Sequence, residues 1–237
     1  MRPLKPIEYR QELLLETSEK LFFTSEQPEF IIQRFKSNGN GNGKHPHHSA
    51  ELASLKNELN CYLLEYLTGY HIPTHFVKKV SDSDMLVKNL KTLPLQVNVY
   101  NSAFGEFAKR FGVKEGAVLE FPVVEHYHLH DHTKTWLNEH HVSAFNIATP
   151  EEFKQINRIA TKANAVLRGL FERRNLELVA LQLEFGRDNE QIALSGEFSL
   201  NTCRILDTTP NRHRFILNGI PHEQVYAELR DRLLLKT

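Results

Sequence analysis

The sequence predicts an α+β protein with mainly antiparallel sheets. Three observations lead to this class. Apolar segments of strand length occur in groups, two long stretches carry apolar residues at helical spacing, and the glycine-rich segment lacks the G-x-x-x-x-G-K-[ST] pattern of a P-loop. The order of the elements is strands, a helix, more strands, a long helix, a hairpin and a final helix. This order is not that of a doubly wound nucleotide-binding fold.

The first elements are short strands followed by a helix. Residues 11–36 contain the apolar pieces "LLL", "LFF" and "FII", separated by the turn-like "TSE" and "SEQPE", which predicts a hairpin. The Gly/Asn/His-rich segment 37–49 is interpreted as a solvated loop. Leucines and tyrosines at three- and four-residue spacing then predict a helix over 50–68, which Gly69 is placed to end.

The middle of the chain returns to strand patterns in "IPTHFVKKV", "MLVKNL" and "LPLQVNVYN", and a short helix is predicted over 106–112. The second long helix has stronger signals. Thr149 can cap it, Pro150 suits its first turn, and the two glutamates that follow suit its positive dipole end. An apolar stripe along its length predicts that one face is buried.

Beyond that helix, "LELVALQLEFG" and "IALSGEF" predict a strand pair, and an amphipathic helix is predicted near 222–235. The strand pair places Glu184 and Glu197 on consecutive strands near Arg204. Two acids on adjacent strands can hold Mg²⁺ against phosphate oxygens, and an arginine can neutralise phosphate or carboxylate. The alternative is an ordinary surface network of glutamate and arginine.

Composition limits the partners. The 237 residues include 29 basic and 29 acidic ones, so the net charge of zero argues against a nucleic acid held mainly through its phosphates. No apolar run approaches the roughly 20 residues that span a bilayer, and the first residues have no signal-peptide pattern. The two cysteines fit a reducing compartment, so we expect a cytoplasmic protein, and the lack of a spanning segment predicts no membrane partner.

Two histidine-rich segments indicate a different possible function, which is metal binding. The segment "HYHLHDH" places His126, His128, His130 and His132 at every second position, so a strand would present all four imidazoles on one face. Neighbours on one strand face stand roughly 6–7 Å apart, and tetrahedral sites usually gather ligands from several elements. A metal site here, and in "KHPHH" at 44–48, is therefore the less favoured interpretation, and a polar loop is the alternative.

Five segments together resemble the SAICAR synthetase (phosphoribosylaminoimidazole-succinocarboxamide synthetase) family, over about residues 13–215. They are "GYHIPTHFVKKVSDSDMLVKNL", "FAKRFGVKEGAVLEFP", "KANAVLRGLF", "LVALQLEFG" and "GEFSLNTCRILD". The resemblance implies two α+β domains, here 1–90 and 91–237, with ATP in a cleft between them. It also implies an ATP- and Mg²⁺-dependent ligase of purine synthesis, which activates a carboxylate as an acyl phosphate for attack by an amine. Family members often self-associate, which allows a homo-oligomer.

The resemblance carries roles onto individual positions. Lys20, Lys88, Glu184 and Glu197 match nucleotide-binding positions, and the two glutamates also match the metal side of the site. Catalysis is assigned to Lys109 and Arg204. The substrate-binding positions are Asn101, Ser199, Arg204, Tyr100 and Glu106.

Several positions depart from the family pattern. The element G-K-x-K corresponds to "TSEK", in which only Lys20 remains, and Asn38 stands where the next loop should carry an acid. In the element V-V-R-N-x-x-A-G-S, arginine becomes Tyr100 and serine becomes Glu106. The remaining departures fall in the segments that would hold metal and substrate: Lys134, Ala180, Gln182, Gly196 and Asn201.

These departures predict a ligase with an altered substrate. Loss of one transition-state contact typically costs orders of magnitude in rate, and an acid such as Glu106, where an anionic ribotide should bind, is repulsive. The expected partners are a nucleotide, a carboxylate and an amine. The alternatives are a catalytically inactive homologue that acts as a binding or regulatory protein and, less favoured by these departures, the family's own reaction.

Overall fold

The computed structural model of the chain describes residues 12–36, 46–131, 133–189, 191–210, 214–215 and 222–234, and the side chains at 46–49, 214–215 and 222 lie outside the description. Within these ranges the chain forms two antiparallel sheets and five helices. The predicted α+β class is confirmed.

The first sheet has five strands, and each of its hydrogen-bonded pairs is antiparallel. Its order is β1-β2-β3-β5-β4. The bounds are β1 (Leu13–Glu16), β2 (Lys20–Thr24), β3 (Phe30–Phe35), β4 (Phe76–Lys79) and β5 (Asp84–Lys88). Residues 11–36 thus hold three strands and not a single hairpin, because each of the three apolar pieces contributes a strand of its own.

Helix α1 (Pro46–Gly69) connects the third and fourth strands and packs against β3, β4 and β5. It begins inside the segment 37–49 that the sequence predicts as a loop, because proline is well suited to a first helical turn. Residues 37–45 lie outside the described ranges. The helix ends at Gly69 as predicted, but the residue with a left-handed backbone is His71, at φ 56°.

The second sheet has seven strands, again paired antiparallel. Its order is β12-β11-β9-β6-β7-β8, with β10 added beside β9. The bounds are β6 (Lys91–Ser102), β7 (Val118–His130), β8 (Thr133–Leu137), β9 (Leu176–Asp188), β10 (Gln191–Leu194), β11 (Cys203–Asp207) and β12 (Arg214–Phe215).

Strand β10 is shorter than predicted. It stops at Leu194, so Glu197 lies in the loop that follows and not on a strand. The chain leaves the sheet there because residues 199–202 fold into a turn, in which Thr202 N donates to the Ser199 carbonyl at 3.1 Å.

The described ranges contain four further helices: α2 (Gly105–Phe111), α3 (Glu139–Ala144), α4 (Pro150–Glu172) and α5 (His222–Leu233). The predicted start of α4 is confirmed. Thr149 Oγ1 accepts from Glu152 N at 3.2 Å, and Glu152 Oε2 accepts from Thr149 N at 2.8 Å. Helix α3 is not predicted because its six residues are too few to show helical periodicity.

One apolar core joins both sheets with the long helices. Helix α4 covers one face of the second sheet, where Val97 is paired with Leu183 and both are buried. Alternate residues of these strands point the other way. We call that opposite side, with Gln96, Asn98 and Tyr100 of β6, the open face.

The strands up to residue 88 form the first sheet and those from residue 91 form the second. Helix α5 nevertheless packs against α1, so the domain limits 1–90 and 91–237 stay a prediction. None of the helices in the described ranges is long and apolar enough to cross a membrane.

Candidate functional site at the junction of the two sheets

The two sheets meet where the segment after α1 passes β10. Thr74 and Leu194 form an isolated parallel bridge. The Leu194 carbonyl accepts from the backbone N–H of His75 at 2.8 Å and from its ring Nδ1 at 3.0 Å. The His75 carbonyl accepts from Lys88 N at 2.7 Å. These contacts, which we call the sheet junction, hold β5 of the first sheet against β10 of the second.

Lys20 and Glu197 form an ion pair between the two sheets. Nζ of Lys20, on β2, lies 3.1 Å from Oε2 of Glu197, and the two side chains are only 12% and 10% exposed. That carboxylate oxygen is buried and has no hydrogen-bond partner within the described ranges. The ammonium is therefore near the oxygen without a well-aligned hydrogen bond, and Oε2 is an acceptor that another cation or donor can engage.

His75 is buried close to this pair. Only a protonated Nδ1 can donate to the Leu194 carbonyl, so Nε2 carries a lone pair, and no described group hydrogen-bonds to it. Burial lowers the pKa of His75 to about 4, and the charge of Lys20 acts in the same direction. The imidazole is therefore neutral near pH 7 and adds no charge beside the ion pair of Lys20 and Glu197.

The loop that carries Glu197, residues 195–202, is anchored to α1. Asn60 Nδ2 donates to the Phe198 carbonyl at 2.9 Å, and Asn60 Oδ1 accepts from Phe198 N at 2.7 Å. Both residues are buried. Since Phe198 directly follows Glu197, this two-bond contact fixes the backbone beside the carboxylate.

Lys88 forms a second ion pair between the sheets. Its Nζ lies 2.7 Å from Oδ2 of Asp188 at the end of β9, with the side chains 40% and 35% exposed. Both lysines that the resemblance assigns to nucleotide binding thus form ion pairs with carboxylates outside the first sheet.

The open face carries a row of neutral polar side chains. Gln96 Nε2 donates to Asn98 Oδ1 at 2.6 Å, and Asn98 Nδ2 donates to the Tyr100 hydroxyl at 3.0 Å. On β9, Glu184 pairs in register with Gln96, and Gln182 pairs with Asn98. The Tyr100 ring stacks on a phenylalanine of α2, with 4.3 Å between the centroids. We call Gln96, Asn98 and Tyr100 the neutral row.

A charged cluster continues this face onto β7 and β8. The oxygens of buried Glu125 accept from Arg110 at 2.5 Å and from the Tyr127 hydroxyl at 2.6 Å. The hydrogen bond with Glu125 raises the pKa of Arg110, and burial raises the pKa of Tyr127. Nζ of Lys134 lies 4.2 Å from the Tyr127 ring centroid, and desolvation lowers the pKa of Lys134. The charge of Arg110 is thus matched by Glu125.

The remaining charged site candidates lie near α2. The guanidinium carbon of Arg204 is 3.3 Å from the Phe104 ring centroid, and burial lowers the pKa of Arg204. Lys109 Nζ donates to Glu106 Oε1 at 2.8 Å, which lowers the pKa of Glu106 and raises that of Lys109. This pair is 74% and 89% exposed, and the structure does not bring it to the sheet junction.

Two predicted substrate ligands are engaged inside the fold. Asn101 exchanges hydrogen bonds of 2.9 and 2.8 Å with Asn164 of α4 and donates to the Leu178 carbonyl at 2.8 Å. Ser199 Oγ accepts from Asn201 N at 3.2 Å. Both predicted ligands are buried. Their substrate-binding roles stay predictions, and their contacts give each a structural role as well.

The histidine segment does not assemble a metal site within the described ranges, which hold no group of three His, Cys, Asp or Glu suited to a metal ion. His126, His128 and His130 occupy alternate positions of β7 as predicted. However, Nε2 of His126 contacts Asn157 Oδ1 of α4 at 2.7 Å, and burial lowers its pKa. His132 and the side chains at 44–48 lie outside the description, as does Asn38.

Glu184 and Glu197 remain the predicted pair for Mg²⁺. The unsatisfied Oε2 of Glu197 suits a cation that takes oxygen ligands. Gly196 packs tightly beside this pair, because a Cβ at that position would lie 3.2 Å from the Glu184 Cβ.

Sequence reasoning missed three residues that shape the site. Asn60 interrupts the buried apolar stripe of α1, and this polar residue at an apolar position was the available signal. His75 and Asp188 carry no local signal, because their roles arise only when β5, β9 and β10 come together.

Comparisons with known proteins point to one family. A family model described as SAICAR synthetase matches residues 18–215. The phosphoribosylaminoimidazole-succinocarboxamide synthase of Chlorobium phaeobacteroides is 38% identical to this chain, over 94% of the chain and 97% of the relative. That of Chloroherpeton thalassium is 35% identical, with the same coverage.

Solved structures are also similar. The phosphoribosylaminoimidazole-succinocarboxamide synthase of Ehrlichia chaffeensis has a TM-score of 0.84 at 29% identity, covering 95% of this chain and 100% of that one. A SAICAR synthetase (Type-2) in complex with ADP has a TM-score of 0.83 at 26% identity, covering 95% and 99%.

Proposed function

The chain belongs to the SAICAR synthetase family, and from this premise we propose that it is an ATP-dependent ligase that joins a carboxylate to an amine. We propose further that its carboxylate substrate differs from the family's phosphorylated ribotide. The observation that carries the ligase proposal is the ion pair of Lys20, on β2, and Glu197, in the loop after β10, because the resemblance assigns both residues to nucleotide binding. The ADP in one similar structure supports a nucleotide as one substrate.

ATP supplies a phosphoryl group that turns a carboxylate into an acyl phosphate, with ADP as the leaving group. The amine nitrogen then attacks the acyl carbon, the carbon–oxygen bond to phosphate breaks, and the nitrogen loses a proton. Catalysis of this type depends on positioning and charge stabilisation. Two charged groups, at least, are needed to hold phosphate and metal.

Lys20 and Glu197 meet that need. The Lys20 ammonium can donate to phosphate oxygens, and Glu197 with Glu184 can hold Mg²⁺ through carboxylate oxygens. The buried Glu197 oxygen without a hydrogen-bond partner supports this fit. The contact between Asn60 and Phe198 would keep that carboxylate in place while the substrates bind.

The neutral row supports an altered carboxylate substrate. Amide and hydroxyl groups cover the open face where the family pattern has an arginine, and Tyr100 fills that position with its hydroxyl bonded to Asn98. Arg110 is neutralised by Glu125. A dianionic phosphate would therefore gain little from the neutral row or from Arg110, and Lys134 is left as the cation of the charged cluster that could attract it.

Calorimetric titration with ATP tests the ligase proposal, with and without Mg²⁺. We expect metal-dependent binding that Lys20→Met weakens by about ten-fold or more, since one charge-assisted hydrogen bond is lost. Lys78→Met, an exposed lysine on β4 of the same sheet, is the matched control. ADP release should then be stimulated by unphosphorylated carboxylates more than by phosphorylated ones. Metal-independent or absent ATP binding would contradict the proposal.

A second candidate is a binding or regulatory protein without catalysis. It is favoured by the absence, within the described ranges, of a three-residue metal group, and by the contact of Glu197 with Lys20. It predicts nucleotide binding without ADP formation in a single-turnover assay with any carboxylate and amine. A burst of ADP that depends on the carboxylate would exclude it.

A further inference from the structure

A concave site lies on the α4 side of the second sheet. It is a groove of about 350 Å³ between the segment after α1, helix α4 and β10. The groove is separate from the open face because residues of β9 that face α4 alternate with Gln182 and Glu184, which face the other way. It lies across the sheet from the open face and next to the sheet junction, because Pro73 directly precedes Thr74.

The rim of the groove carries positive charge. Arg158 and Lys162 stand one turn apart on α4, and His71 adds an imidazole from the opposite wall. Among the described residues, nine line the groove and none of them is acidic. Within the described ranges, no carboxylate lies within ion-pair distance of Arg158 or Lys162. Glu152 of the same helix forms an ion pair with Arg187 instead. This differs from the open face, where Arg110 is matched by an acid.

The floor of the groove is apolar. It is formed by Ile72, Ile159 and Ile192, which are 1%, 9% and 2% exposed. His71 at the rim holds a left-handed backbone, φ 56°, at a helix end where glycine is the usual residue. A cationic rim over an apolar floor suits a ligand with an anionic group at one end and an organic body at the other.

We propose that this groove binds a small phosphorylated organic molecule. Its phosphate lies at Arg158 and Lys162, and its organic body lies on the isoleucine floor. A phosphate is favoured over a single carboxylate because two neighbouring cations with no described counter-charge match a dianion. The volume is adequate for a ligand of drug-like size.

Phenyl phosphate is the probe for the test, titrated into the full chain and followed by calorimetry. We expect saturable binding that Arg158→Ala and Lys162→Ala each weaken by about ten-fold, one lost charge-assisted contact each. Lys154→Ala is the matched control, because Lys154 is exposed one turn earlier on α4 and does not line the groove. Inorganic phosphate should bind more weakly than phenyl phosphate, and saturating Mg-ATP should leave phenyl phosphate binding unchanged.

Three results would overturn the proposal. The first is absence of saturable binding, and the second is an equal loss with Lys154→Ala, which would indicate general attraction to the helix. The third is displacement of the probe by Mg-ATP, which would assign the binding to the nucleotide site. Arg158→Gln and Lys162→Gln, which keep the side-chain length, repeat the test if an alanine variant does not fold.

Discussion

The side-chain amide of Asn60 is hydrogen-bonded to both backbone polar groups of Phe198, a residue 138 positions away in the sequence. This contact connects helix α1 to the loop that carries Glu197. The position of that carboxylate therefore depends on a helix from the first half of the chain.

Asn60→Ala is expected to lower the free energy of unfolding by about 2–4 kcal/mol, because a buried N–H and a buried carbonyl of Phe198 both lose their partner. Urea denaturation measures the change. Asn201→Ala is the control, since Asn201 is exposed in the same loop, and we expect a change within about 0.5 kcal/mol there. Equal effects of the two substitutions would contradict the assigned role of Asn60.

Lys20→Met and Glu197→Gln are expected to be coupled. Each single change leaves a largely buried charge without its partner, whereas the double change removes both charges. A double-mutant cycle should give a coupling of about 1–2 kcal/mol in the free energy of unfolding. The exposed pair of Glu106 and Lys109 should show much smaller coupling. Strict additivity at Lys20 and Glu197 would rule out the ion pair.

The lowered pKa of His75 predicts that the folded protein loses stability in mild acid. Its pKa is about 4 in the folded protein, below the ordinary value of about 6.5, so the unfolded chain takes up the proton at higher pH than the folded chain. The neutral His75 contributes fully to the free energy of unfolding above pH ~6.5. This contribution is lost as the pH falls to ~4, and the total loss is roughly 3 kcal/mol.

His75→Asn keeps a donor for the Leu194 carbonyl and removes the titrating group. The free energy of unfolding of this variant should therefore fall less between pH ~6.5 and ~4 than that of the unaltered protein. His71→Asn, at an exposed position whose left-handed backbone asparagine tolerates, should keep the original pH dependence. Parallel pH profiles for the His75 variant and the original would show that His75 titrates normally.

Asn101→Ala is expected to destabilise the protein by about 2–3 kcal/mol, because Asn164 and the Leu178 carbonyl lose buried hydrogen bonds. Asn164→Ala should have a similar effect, and the double variant should cost less than the sum, since the two amides bind each other. Thermal and urea unfolding measure this. If Asn101→Ala changed only the KM for a substrate and left unfolding unaltered, the residue would be a ligand and not part of the core.

Gly196→Asp is expected to strengthen Mg²⁺-dependent binding of ADP several-fold, because a third carboxylate is added beside Glu184 and Glu197. The change should also destabilise the fold by about 1 kcal/mol, since its Cβ presses on the Glu184 Cβ at 3.2 Å. Gly196→Asn has nearly the same shape without the charge and is the control. Equal ADP affinity of the two variants in Mg²⁺ would show that the added charge holds no metal.

Much of the fold could be predicted because it rests on local signals. The start of α4 follows from Thr149 and Pro150, whose capping roles need only their nearest neighbours. The strand-length apolar pieces near the start of the chain also became strands, although their number was underestimated. Helix α3 and the early end of β10 could not be predicted, because six residues show no period and a turn such as 199–202 competes with a strand only in context.

The candidate site was predictable in part. Lys20 and Glu197 were both named from the resemblance, and the structure brings them together. Lys109 and Glu106 were named in the same way and lie in an exposed pair. The neutral row and the role of His75 could not be foreseen, since the register between β6 and β9 and the approach of β10 to the segment after α1 are properties of the whole chain.

The packing of α5 against α1 has a consequence for the order of events during synthesis on the ribosome. The loop with Glu197 receives a hydrogen bond partner from α5, since Leu200 N donates to the Tyr226 hydroxyl at 3.2 Å. Lys20 is synthesised early, but the loop that carries its partner Glu197 gains its contact with Tyr226 only after α5 has been synthesised. A nascent chain that stalls before α5 would hold both sheets, but the loop around Glu197 would lack its hydrogen bond to Tyr226.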